Sequence, residues 1–116
     1  MVLLAVGPPD LRLGHDPVAA QAVTARVQNN GQSCIAAKRF IVEAPVAERF
    51  ERAFAERMAA LKVGDPMDRG TDVGPLARDD LRDTLDRQVK DSLAAGARLV
   101  TGGTRLPGKG FFYAPT

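Results

Sequence analysis

The sequence holds one cysteine, one histidine, one tyrosine and no tryptophan in 116 residues. One cysteine cannot close an internal disulfide, so packing and hydrogen bonds must hold the fold, and a reducing compartment suits it. One histidine, with no second ligand near it, leaves no metal-ligand cluster. Long apolar runs are missing too. The apolar opening from Met1 to Val6 is far too short to cross a bilayer. No Lys or Arg precedes it and Pro8 and Pro9 follow, so it makes a poor signal peptide. The expected location is cytoplasmic, without membrane contact. A charge excess is also lacking. The net charge is +2 and Lys/Arg alternate with Asp/Glu, unlike the basic stripe of a nucleic-acid binder.

What is present is ordinary for a soluble globular chain: 45% hydrophobic and 26% charged residues. The length suits one domain with one core, without room for a separate cofactor domain. Residues 1–6 predict a short buried strand, stopped by Gly7-Pro8-Pro9. His15 reads as a solvated loop residue. Asp16 can cap a helix with Pro17 at its first position. Val18, Ala19, Ala22, Val23 and Val27 give that helix one apolar face. Asn29-Asn30-Gly31 tolerates the left-handed backbone that ends it. Residues 38–43 predict a strand, closed by Pro45.

A strongly amphipathic helix follows, with Phe50, Ala53, Phe54, Met58 and Leu61 on one stripe and a charged, solvated opposite face. Gly64-Asp65-Pro66 turns the chain into a loop over 64–77. Its acids lack the ligand ladder and closing Glu of an EF-hand. Leu81, Leu85, Val89 and Leu93 predict a helix from about Asp79 to Ala95, with two acids favouring its N-terminus and Gly96 ending it. Residues 97–101 predict another strand, and Phe111-Phe112-Tyr113 a third apolar run. Alternating strands and helices predict an α/β fold with a mostly parallel sheet and right-handed crossovers. A parallel sheet wants both faces covered. Two good helices cover one, so the chain reads as a piece of something larger.

Two stretches could carry chemistry. Gly103 to Lys109 spells G-x-x-x-x-G-K after a predicted strand. A phosphate loop needs Ser or Thr next, for Mg²⁺, and then a helix N-terminus. Here Gly110 and Phe111-Phe112-Tyr113 follow, so a flexible glycine turn is the reading. No G-x-G-x-x-G follows a strand either. The second stretch is Asn29-Asn30-Gly31-Gln32-Ser33-Cys34, placed between a predicted helix and a predicted strand. A nucleophile can stand clear of both elements at such a junction. A lone cysteine can equally be an inert small hydrophobe in a core.

Asn-Asn-Gly-Gln-Ser-Cys followed by a basic strand resembles the catalytic-cysteine segment of the aldehyde dehydrogenase superfamily, and looks most like its succinate-semialdehyde branch. The likeness continues in order through Phe50 to Leu61, Val63-Gly64-Asp65-Pro66, Gly74-Pro75-Leu76, Gly96-Ala97-Arg98-Leu99, Gly102-Gly103 and Phe112 to Thr116. It covers residues 16–116, read as a partial catalytic domain, with 1–15 a divergent N-terminal segment. The resemblance implies that Cys34 attacks an aldehyde as a thiolate. It implies that the Cys34 backbone N–H helps hold the oxyanion, and that Ser33 and Ile35 line the aldehyde pocket. The implied cofactor is NAD or NADP, which takes hydride and leaves a thioester.

The family's base glutamate belongs to a Glu-Leu-Gly-Gly segment upstream of the cysteine, yet no glutamate precedes Glu43. Its oxyanion asparagine, cofactor domain and Glu-Ile-Phe-Gly-Pro motif have no counterpart in this sequence. The expectation is a fragment of an NAD(P)-dependent aldehyde dehydrogenase that is inactive alone. Two alternatives are a non-catalytic α/β module that associates with full-length subunits and a simple redox thiol at Cys34.

Overall fold

The computed structural model describes residues 17–116. The readings placed on Met1–Val6, Pro8, Pro9, His15 and Asp16 lie outside the described residues. The chain divides into two compact units, one through Arg57 and one from Met58 to Thr116.

In the first unit, helix α1 spans Pro17–Val27. Ala19 and Ala22 are wholly buried, and their small side chains leave space for an aromatic to approach the helix closely. Asn29 (φ 50°), Asn30 (φ 55°) and Gly31 (φ 75°) follow in the left-handed region. Asn and Gly are the residues that adopt it at least cost, and they end α1 as expected. Helix α2, Ala44–Ala59, begins earlier than its apolar stripe suggested. Pro45 lies in its first turn, where a missing N–H breaks no helical bond. Phe50 seats on Ala19 and Ala22, with Val18, Phe40, Val42, Ala53 and Phe54 around it. The Phe40, Phe50 and Phe54 rings lie 5.0–6.1 Å apart, within the range of favourable aromatic pairs.

Phe40 and Val42 face this core while Arg39, Ile41 and Glu43 are exposed. Residues 38–43 thus show the two-residue period of a strand. They nevertheless form no ladder, and among the described residues there is no regular strand. The expected parallel sheet is therefore absent from them. A lone extended segment has no neighbour to receive its N–H and C=O groups, so its pattern alone does not make a sheet. Residues 97–101 likewise form no strand ladder among the described residues, and Leu99 and Val100 are exposed.

In the second unit, a parallel bridge joins Val63 to Val73 and closes a loop. Asp65 and Asp68 each accept a backbone N–H two residues on, at 2.8 Å, so these acids build turns. Helix α3 spans Asp79–Ala94 and ends at Gly96, whose φ of 97° is one that glycine adopts freely. The third apolar run pairs antiparallel instead of joining a parallel sheet. Tyr113 bridges Arg105, Leu106 N–H donates to Phe112 C=O, and Ala114 N–H donates to Thr104 C=O.

The α3 stripe of Leu81 and Leu93 stays exposed, whereas Asp86, on the polar face, is 8% exposed. Its carboxylate accepts from Lys90 (2.7 Å), Tyr113 (3.2 Å) and Arg105 (3.3 Å). A buried carboxylate is tolerated when it is this fully paired. The Lys90 hydrogen bond, foremost, holds the Asp86 carboxyl below its usual value of 3.8, against the cost of burial. Burial first, then the bond to Asp86, pushes the Tyr113 phenol above its usual 10.0.

The signs set a pH window. The Asp86 contribution is present above pH 3.8 and lost as pH falls below it; the Tyr113 contribution is present below pH 10.0 and lost as pH rises past it. The ultraviolet titration of the single tyrosine should therefore have its midpoint above 10.0. Tyr113→Phe should reduce the alkaline fall in thermal midpoint, keep the acid fall, and lower the plateau by about 1 kcal/mol for one lost hydrogen bond.

Candidate active site

Cys34 is exposed, on a turn between α1 and the extended segment at 38–43. The turn starts where Asn29, Asn30 and Gly31 reverse the chain, with Gln32 N–H donating to Asn29 C=O at 3.0 Å. It closes as Ala36 N–H donates to Ser33 C=O and Ala37 N–H reaches back to Ala25 C=O on α1, each at 3.0 Å. Ala36 and Ala37 form its buried floor. Ser33 is half-buried beside the thiol, and Ile35 is 68% exposed on its other side. An apolar side chain so exposed is free to meet a ligand or a further segment.

Two cations hold the turn's carbonyls. Arg26, in the last turn of α1, donates to Ala37 C=O at 2.6 Å and to Gly31 C=O at 2.9 Å. Burial draws the Arg26 guanidinium below its ordinary value. Lys38 donates to Ala36 C=O at 3.0 Å and more weakly to Cys34 C=O at 3.4 Å. The sequence pattern did not single out either residue. A basic residue in a helix's last turn serves the dipole in most helices, so nothing in the string marked Arg26 as a bridge.

The structure thus places Ser33, Cys34 and Ile35 together on one displayed turn, on the first unit. Among the described residues no group of His, Cys, Asp and Glu could hold a metal ion. No helix of the described residues is long and apolar enough to cross a membrane. Gly102 to Gly110 runs into the antiparallel pairing of 104–106 with 112–114, not into a helix N-terminus, so it gives phosphate no cradle. A groove of about 550 Å³ in the second unit is lined mainly by Val63, Pro66, Leu106 and Phe112, with Asp65 and Lys109 also on its wall.

The chain is similar to known proteins in sequence and in fold. Residues 13–116 match the model of the aldehyde dehydrogenase family. The chain is 59% identical over 101 residues to a succinate-semialdehyde dehydrogenase (NADP+) of Mycobacterium avium strain 104, covering 87% of this chain and 21% of that protein. It is 57% identical over 101 residues to succinate-semialdehyde dehydrogenase (NADP+) 1 of Mycobacterium tuberculosis strain H37Rv, covering 87% of this chain and 22% of that one. The solved structure of a mutant aldehyde dehydrogenase from Bacillus cereus superposes with a TM-score of 0.84 at 26% identity, over 97% of this chain and 22% of that one. The chain spans about a fifth of the length of the curated relatives it matches. With a family model matched along nearly its whole length and an exposed cysteine on a built turn, this chain belongs to the aldehyde dehydrogenase family.

Proposed function

We propose that residues 16–116 are the cysteine-bearing part of the catalytic domain of an NADP-dependent succinate-semialdehyde dehydrogenase, and that the chain is inactive alone. The observation that carries this is an exposed thiol on a hydrogen-bonded turn, in a chain 59% identical to a protein bearing that name. In this reading the Cys34 thiolate attacks the aldehyde carbon. A carbon–sulfur bond forms and the carbonyl electron pair moves onto oxygen, which the Cys34 backbone N–H would help hold. Ser33 and Ile35 flank the incoming aldehyde. The described residues offer no fit for a dinucleotide; NADP+ would be held elsewhere in a full-length subunit and would supply the hydride acceptor there. A base glutamate would also come from there. Residues 38–43 and 97–101 would then gain strand partners and complete a parallel sheet.

The purified chain with succinate semialdehyde and NADP+ should form no NADPH. Residues 16–116 exchanged for the matching segment of the M. avium relative should give an enzyme that does. Turnover by the chain alone would overturn the fragment reading, and an inert exchange product that folds would overturn the functional one.

A further inference from the structure

Cys34 stands in the middle of a span whose two ends are tied to one side chain. Arg26 Nη2 donates to Gly31 C=O, three residues before the thiol, and Nη1 donates to Ala37 C=O, three residues after it. The guanidinium is planar and forked, so one rigid group fixes the separation of the two ends. The neighbouring glycine is fitted to this group. A Cβ at Gly31 would collide with Arg26 Nη2, besides being strained at φ +75°. The Ala37 N–H also bonds to Ala25 C=O, so the far end of the span is tied to α1 twice, through backbone and through Arg26. Lys38 adds a second cation, but both its bonds lie within the turn and neither reaches α1.

We propose that Arg26 is the positioning residue of the candidate nucleophile, bridging Gly31 and Ala37 so that Cys34 is held at one place above α1. This presupposes the role given to Cys34 above and adds what fixes it there. Arg26 touches backbone carbonyls and acts on the thiol through them. Charge alone does not meet the requirement, because one ammonium nitrogen cannot occupy the two points from which separate guanidinium nitrogens donate.

The test uses the full chain with its single thiol carrying a trifluoroethylthio label, read by ¹⁹F resonance, together with amide hydrogen exchange at Ala36 and Ala37. The parent should give one resonance. Arg26→Met and Arg26→Lys should both shift and broaden it and speed exchange at Ala37 on the order of tenfold, with helical circular dichroism unchanged. Arg52→Met, which removes only an exposed pair with Glu48, should leave the resonance as it was. A parent-like resonance in Arg26→Met overturns the proposal. So does a parent-like resonance in Arg26→Lys, which keeps the cation and the stem and remains testable should the Met variant fail to fold. The label reports the order of the turn whether or not sulfur does chemistry. Retained order therefore sinks the Arg26 role alone, while an exchange product indifferent to loss of Cys34 sinks the nucleophile alone.

Discussion

Replacing Cys34 with alanine in the exchange product should lower kcat/KM for succinate semialdehyde by roughly four orders of magnitude or more, the scale seen when a covalent nucleophile is deleted. At 1.36 kcal/mol per tenfold that is about 5.5 kcal/mol of transition-state stabilisation. Within the exchanged segment no other thiol can substitute, because Cys34 is the only one there. Cys34→Ser should fall almost as far, since a hydroxyl is seldom ionised near neutral pH and thiolate is the reactive form. Both variants should keep the parent fold, because the side chain is exposed and makes no part of the core. The measurement is initial NADPH formation against aldehyde concentration. A loss of less than about tenfold would remove Cys34 from the reacting atoms.

The second large effect is on stability. Phe50 is 7% exposed and is the most deeply buried of the three phenylalanines, seated on two wholly buried alanines. Phe50→Ala should cost about 3 kcal/mol in lost burial and residual cavity. At roughly 0.05–0.15 kcal/mol per residue, a unit of this size holds only a few kcal/mol in all. The substitution should therefore unfold the first unit near room temperature, seen as loss of α1 and α2 signal in far-ultraviolet circular dichroism. Phe50→Leu keeps most of the volume and should cost under about 1.5 kcal/mol. If Phe50→Ala melts like the parent, the aromatic trio is not what joins α2 to the segment leaving the Cys34 turn.

The helices were legible because their signals are local. Pro17 at the start of α1, the Asn-Asn-Gly stop, the acid-rich first turn of α3 and Gly96 after it all act within one turn of backbone. The displayed cysteine was legible as a junction, and more firmly by resemblance. The sheet was not, because a strand is a property of a pair. Residues 38–43 carry the right alternation and have no strand partner among the described residues. Asp86 was missed for a related reason: its partners Arg105 and Tyr113 lie 19 and 27 residues away, and no spacing rule links them. The exposed Leu81 and Leu93 show the converse. A four-residue apolar period marks the face a helix would bury, not whether anything is there to cover it.

The ties that shape the Cys34 turn span short stretches of chain, 5 and 11 residues for the two Arg26 bonds. Closing loops this short carries a small entropic cost and is fast. Early in folding, then, the sulfur can take its place before distant parts of the chain arrive. Its placement is written within a dozen consecutive residues, and substitutions far along the chain would leave it largely undisturbed.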